Sequence, residues 1–102
     1  KLAECFEPAR FPMEMEKYLR LIMIYPKIGL NKGTKGVVDV EFAINREGRV
    51  DRPVILKGLG ENFDNEVIRM VEAMPRWTPQ EQNGYIMETK FLLPVEFKWK
   101  EF

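Results

Sequence analysis

From residue 37 the chain alternates. Val38, Val40, Phe42 and Ile44 fall on one side of an extended backbone, and Asp39 and Glu41 on the other. A period of two marks a half-buried strand, so a strand is predicted over 37–44. Asn45-Arg46-Glu47-Gly48 reads as a turn, with Gly48 free to take positive φ. A second strand is predicted over 49–57 (RVDRPVILK). It is less regular, because Pro53 cannot donate to a ladder and marks an edge or a bulge. These two strands form a hairpin. After Gly58-Leu59-Gly60 the period lengthens. Phe63, Val67, Met70, Val71 and Met74 make the apolar stripe of a helix over 62–74, with Asn62 or Asp64 as its cap and Pro75 as its stop. Alternation returns over 85–99, where Tyr85, Met87, Thr89, Phe91, Leu93, Val95, Phe97 and Trp99 share a face. Pro94 places part of this third strand at an edge.

Upstream, residues 12–23 (PMEMEKYLRLIM) predict another helix. Pro12 suits a first turn, Glu14 and Glu16 suit its positive end, and Met15, Leu19, Ile22 and Met23 recur at helical spacing. Tyr25-Pro26 ends it, since the residue before proline avoids helix. Residues 1–11 are an irregular lead-in, and 27–36 (KIGLNKGTKG) a loop with at most one helical turn.

The order of elements predicts an α+β fold. The hairpin makes the first two strands antiparallel. A helix between the second and third returns the chain, so the third runs parallel to the second. A three-stranded antiparallel sheet then requires the order 2-1-3, with the amphipathic helix packed on one face and the N-terminal helix beside it. The stretch MPRWTP (74–79) pins Trp77 between two prolines, where its ring can seal helix against sheet. At 102 residues this is one domain, spanning 12–102 behind the lead-in.

Composition narrows the chemistry. Lys and Arg number 16, as do Asp and Glu. Zero net charge argues against a nucleic-acid binder. The sequence holds neither histidine nor serine, which removes Ser-His and Cys-His catalysis and histidine-based zinc sites. A single cysteine, Cys5, allows no intrachain disulfide and reads as a free thiol; Glu4 spoils the lipoprotein-like context of Leu2-Ala3-Glu4-Cys5. Gly58-Leu59-Gly60 lacks the third glycine of a dinucleotide fingerprint, and KIGLNKGTKG lacks the spacing of a phosphate loop. Asp39, Glu41, Glu88 and Glu96 could pair as acid and base, but a solvated charged row is the better account. Phe91, Phe97 and Trp99 share the phase of the core face, which favours packing over base stacking. No apolar run reaches the length of a membrane span. These readings predict no enzyme, no metal and no cofactor. What stands out is the long third strand at an edge, where exposed backbone is either protected, here by Glu88, Lys90 and Pro94, or used to accept an extended peptide.

Tyr25-Pro26, KGVVDVEFAINREGRV (35–50), FDNEVIRMVEAMPRWTP (63–79), QNG (82–84) and FLLPVEF (91–97), in that order and spacing, resemble the C-terminal domain of the TonB family. ARFPMEMEKYL (9–19) is similar to the lead-in helix of Bacteroidetes-type members. The pattern departs at Met13-Glu14 and Gln80-Glu81, where the family favours Gly-Gly and a glycine with a basic residue. The resemblance implies a periplasmic domain of an inner-membrane-anchored energy transducer. Such a domain grips an extended N-terminal segment of an outer-membrane TonB-dependent transporter, and meets the inner-membrane motor complex through a part outside this chain. Carried onto these residues, the segment adds to the edge formed by Met87, Glu88, Thr89, Lys90, Phe91, Leu92 and Leu93, flanked by Ile24, Tyr25 and Pro26. A homodimer through the edge strands is the other arrangement such an edge allows. The alternative function is a periplasmic sensing or protein-interaction domain of a membrane regulator with no transport role.

Overall fold

The computed structural model describes residues 5–27 and 35–98. Most of the glycine- and lysine-rich loop, Trp99 and the lead-in before Cys5 lie outside them. Along the chain come β1 (Phe6–Glu7), α1 (Met15–Ile22), β2 (Gly36–Ile44), β3 (Val50–Lys57), α2 (Glu61–Glu72), β4 (Gln80–Gln82), β5 (Tyr85–Met87) and β6 (Thr89–Phe97). The fold is α+β, with two antiparallel three-stranded sheets in the orders β3-β2-β6 and β1-β4-β5. The expectation of a single sheet in the order 2-1-3 is corrected on this point. What reads as one strand over 85–99 is divided at Glu88. Its first part pairs with β4, and its second with β2. The reason is length. β2 ends at Ile44, which pairs with Thr89, so residues before Thr89 overhang the larger sheet.

The core follows the two periodicities. Val38, Val40, Phe42 and Ile44 of β2, Leu93, Val95 and Phe97 of β6, and Phe63, Val67, Met70 and Val71 of α2 are buried together. Each such side chain contributes on the order of 1.5–3 kcal/mol relative to exposure. Tyr18 and Leu19 bring α1 onto this core, and the Tyr18 hydroxyl donates to the Met70 carbonyl at 3.0 Å. Burial raises the hydroxyl's pKa, partly countered by the charge of Arg69.

Local signals are met in part. α1 starts at Met15 rather than Pro12 and has no side-chain cap. Neither Asn62 nor Asp64 caps α2, whose N-cap is Gly60. The Asp64 carboxylate instead accepts the Leu59 N–H at 3.1 Å, one turn before the helix settles. Pro53 lies on an edge strand beside a bulge, where Arg52 takes a φ of 50°. Both roles open to that proline are thus used.

Trp77 is 3% exposed and packs on Phe91, Phe11 and Phe42 with ring centroids 5.0, 5.1 and 5.9 Å away. Its amide donates to the Gly48 carbonyl at 2.8 Å, so the β2–β3 turn docks on the segment leaving α2. Gly48 has φ 83°, and a Cβ there would lie 2.0 Å from the Trp77 carbonyl oxygen. Only glycine fits this contact.

Candidate partner-binding edge

β6 has β2 on one side and, among the described residues, no strand on the other; β5 is likewise last in its sheet. The pairing determines which backbone groups face the open side. The Asn45 N–H donates to the Arg49 carbonyl at 2.9 Å, so the odd-numbered residues at this end of β2 direct their backbone toward β3. Backbone groups alternate along a strand, which turns Ile44, Phe42, Val40 and Val38 toward β6. The β2–β6 register runs without a shift from Ile44↔Thr89 to Gly36↔Phe97. Thr89, Phe91, Leu93 and Val95 therefore bond inward to β2, and the backbone of Lys90, Leu92, Pro94 and Glu96 faces out.

The smaller sheet continues this line. Asn83 and Gly84 have φ 51° and 84°, the two-residue turn whose twist suits a hairpin. In such a hairpin the residues flanking the turn, Gln82 and Tyr85, form a hydrogen-bonded pair, and so do Gln80 and Met87 two residues further on. Ile86 then faces away from β4. Ile86, Glu88, Lys90 and Leu92 share one parity, so the open edge passes from β5 into β6 without changing sides.

Side chains along this edge divide by the same alternation. Phe91 and Leu93 point into the core, whereas Leu92 is 56% exposed. Glu88 is held by Arg52 at 2.7 Å, and Lys90 lies 4.0 Å from Glu41. Glu96 pairs with Lys98 at 3.4 Å. The carboxylates considered for acid–base work are thus mostly in surface ion pairs. Among the described residues, no group of three or more Cys, Asp or Glu could hold a metal ion.

Ile24, Tyr25 and Pro26 sit elsewhere. α1 closes with the Met23 N–H on the Leu19 carbonyl, and the chain then straightens. Tyr25 packs edge-on against Phe63 and Phe97, each 5.7 Å away, and burial raises its pKa. Phe97 ends β6, so this contact lies at the opposite end of the strand from Thr89. The structure joins Met87–Leu93 into one edge but places Ile24–Pro26 at a separate groove. That groove is open, about 440 Å³, and lined by Ile24, Pro26, Lys27, Asn62, Asn65, Glu66 and Arg69.

Two residues of that groove escaped the sequence reading. Glu66 lies on the inner side of α2, 9% exposed, and accepts the Ile24 N–H at 2.6 Å. Arg69 donates to both Glu66 oxygens at 2.7 Å and to the Ile22 carbonyl at 2.8 Å. Burial alone would raise the Glu66 carboxyl pKa. Hydrogen bonds from Arg69 and the Ile24 amide, with the Arg69 charge, outweigh that and hold it below the usual range. The pair latches the extended segment after α1 to α2. The available signal was a charged residue at i+3 from Phe63 and i−4 from Met70, inside the apolar stripe, with an arginine three residues on.

No helix among the described residues is long and apolar enough to cross a membrane. No curated relative matches the sequence significantly. The family model for the Gram-negative bacterial TonB protein C-terminal domain matches residues 23–99, a span that takes in both helix-to-strand connections, the Trp77 segment and the open edge, and the chain belongs to that family.

Proposed function

We propose that this is the periplasmic, non-catalytic peptide-binding domain of a TonB-type energy transducer. It takes up an extended N-terminal segment of an outer-membrane transporter as a strand beside Met87–Leu93. The observation that carries this reading is the continuous open edge from Ile86 through Leu92 in a member of this family. The ion pairs made by Glu88 and Lys90 leave backbone groups, rather than net charge, to supply the contact. Coupling to the proton-motive force runs through the inner-membrane motor complex, engaged by an inner-membrane anchor segment outside this chain.

The test is backbone amide NMR of the domain, titrated with peptides from the periplasmic N-termini of candidate transporters. Shifts centred on Met87–Leu93 are expected. A monomer whose edge amides exchange freely and which responds to none of these peptides would refute the transducer reading in favour of a sensing or interaction domain. The groove at Ile24–Pro26 supplies an internal control. Because Tyr25 packs on Phe97, at the far end of β6, the amides there should stay still while those of the edge move.

A further inference from the structure

We propose that Pro94 is the register stop of the open edge: an added strand pairs with Ile86 through Leu92, and its ladder ends at Pro94. The proposal rests on the strand-addition reading and deepens it. Pro94 pairs with Asp39 in an unbroken β2–β6 register, although it has no N–H to give. This is consistent because its position has the outward parity of Lys90 and Leu92. Its nitrogen faces the open side, where no β2 bond is lost. The cost falls on any strand added there. The donor at position 94 is missing, and the ring occupies the place an incoming carbonyl would take. The next outward donor, Glu96, lies beyond this gap.

On the other side the edge begins after the Asn83-Gly84 turn, with Ile86 as its first outward donor. The usable slot from Ile86 to Leu92 is about 20 Å long at ~3.3 Å per residue, which suits an extended segment of about seven residues. Ile86 and Leu92, 45% and 56% exposed, offer apolar contact at the two ends, while the charges between them are already paired. The occupant is therefore a short extended peptide with apolar side chains near both ends. It carries no proline at the positions facing Lys90 and Leu92, where its own amides must pair.

The test is site-resolved amide exchange on the domain, with and without peptides of about fifteen residues tiling the periplasmic N-termini of outer-membrane transporters from the same genome. In the natural sequence, a binding peptide should slow exchange at Ile86, Glu88, Lys90 and Leu92 and leave Glu96 unchanged. Pro94→Val should extend protection to position 94 and Glu96. Peptides longer than the slot should then gain about fivefold to a hundredfold in affinity, the net worth of two hydrogen bonds. Pro94→Ala serves if the valine variant does not fold. Equal protection of Glu96 and Leu92 in the natural sequence would overturn the stop while leaving strand addition intact. So would a length dependence that neither variant changes. Protection of the same amides that rises with domain concentration, without peptide, would replace the peptide by a second copy. No protection with any peptide would overturn strand addition and the stop together.

Discussion

Replacing Glu66 by alanine removes the acceptor of three hydrogen bonds, from the Ile24 amide and from Nε and Nη2 of Arg69. Hydrogen bonds to a charged group contribute about 1.5–3 kcal/mol each, before allowing for what water restores. Here the allowance is large on one side and small on the other. Arg69 is 42% exposed and regains water, and it keeps its bond to the Ile22 carbonyl. The Ile24 amide is partly enclosed and loses its partner outright. The expected loss is therefore about 2–3 kcal/mol, near the lower bound for breaking a buried ion pair. For a domain of this size that corresponds to a fall in Tm of about 10–20 °C, read by circular dichroism at neutral pH. Glu66→Gln keeps an acceptor but turns an amide NH₂ toward one of the donors, and should lose about half as much. The carboxyl is held below its ordinary value, so the stability it contributes is present above the usual glutamate pKa of about 4.3 and disappears as pH falls through the lower folded value. The gap between the natural sequence and Glu66→Gln should therefore close on acidification. A Glu66→Ala variant within about 0.5 kcal/mol of the natural sequence at neutral pH, or a gap that does not change with pH, would refute the latch.

Further outcomes follow from single contacts. Gly48→Ala drives a Cβ against the Trp77 carbonyl at positive φ and should cost about 3 kcal/mol or more in chemical denaturation. Among the described residues a Cβ at Gly84 meets nothing within 4 Å, so Gly84→Ala should cost only the left-handed penalty of about 1 kcal/mol, measured the same way. Among the described residues the buried Trp77 Nε1 meets no hydrogen-bond acceptor, so Trp77→Phe should lose volume rather than a bond within the fold. It should cost about 1–2 kcal/mol, against about 3–5 for Trp77→Ala, by thermal unfolding.

The inner face of β2 and the stripe of α2 were legible because each keeps one period. Val38, Val40, Phe42 and Ile44 recur at every second position, although buried Ala43 interrupts the polar side, and Phe63, Val67 and Met70 keep helical spacing. The second sheet was not legible. Tyr85 and Met87 continue the phase of Phe91 and Leu93 across Glu88, so the sequence shows one strand where the structure shows two. Exposures of 75% and 41% at Tyr85 and Met87 mark them as lying past the end of β2. Gln80-Glu81-Gln82 has no apolar member to reveal a strand, and Phe6-Glu7 is too short to show a period. At the candidate site, the run Met87–Leu93 was found as an edge from strand order and the family resemblance. The separation of Ile24–Pro26 from it was hidden, because it depends on Tyr25 reaching Phe63 and Phe97 across the fold. The Glu66–Arg69 latch was missed because a lone acid in an apolar stripe reads as an interruption until its backbone partners at Ile22 and Ile24 are known.

The short β1–β4 pairing has a mechanical consequence. It consists of two residue pairs, Phe6↔Gln82 and Glu7↔Glu81, followed by the bridge between Arg10 and Thr78. The β2–β6 ladder, by contrast, runs from Gly36↔Phe97 to Ile44↔Thr89 with its bonds lying across the strand axis. Tension entering at residue 5 opens the first pairing one rung at a time, whereas tension along β6 is shared by every rung of the second. The lead-in can therefore peel as far as Pro8, before Ala9 and then the Phe11 ring contacts engage the core, and release about 10 Å of extended chain. The domain carries a short length of slack in series with a stiff body, and a weak pull is spent on the first before it reaches the second.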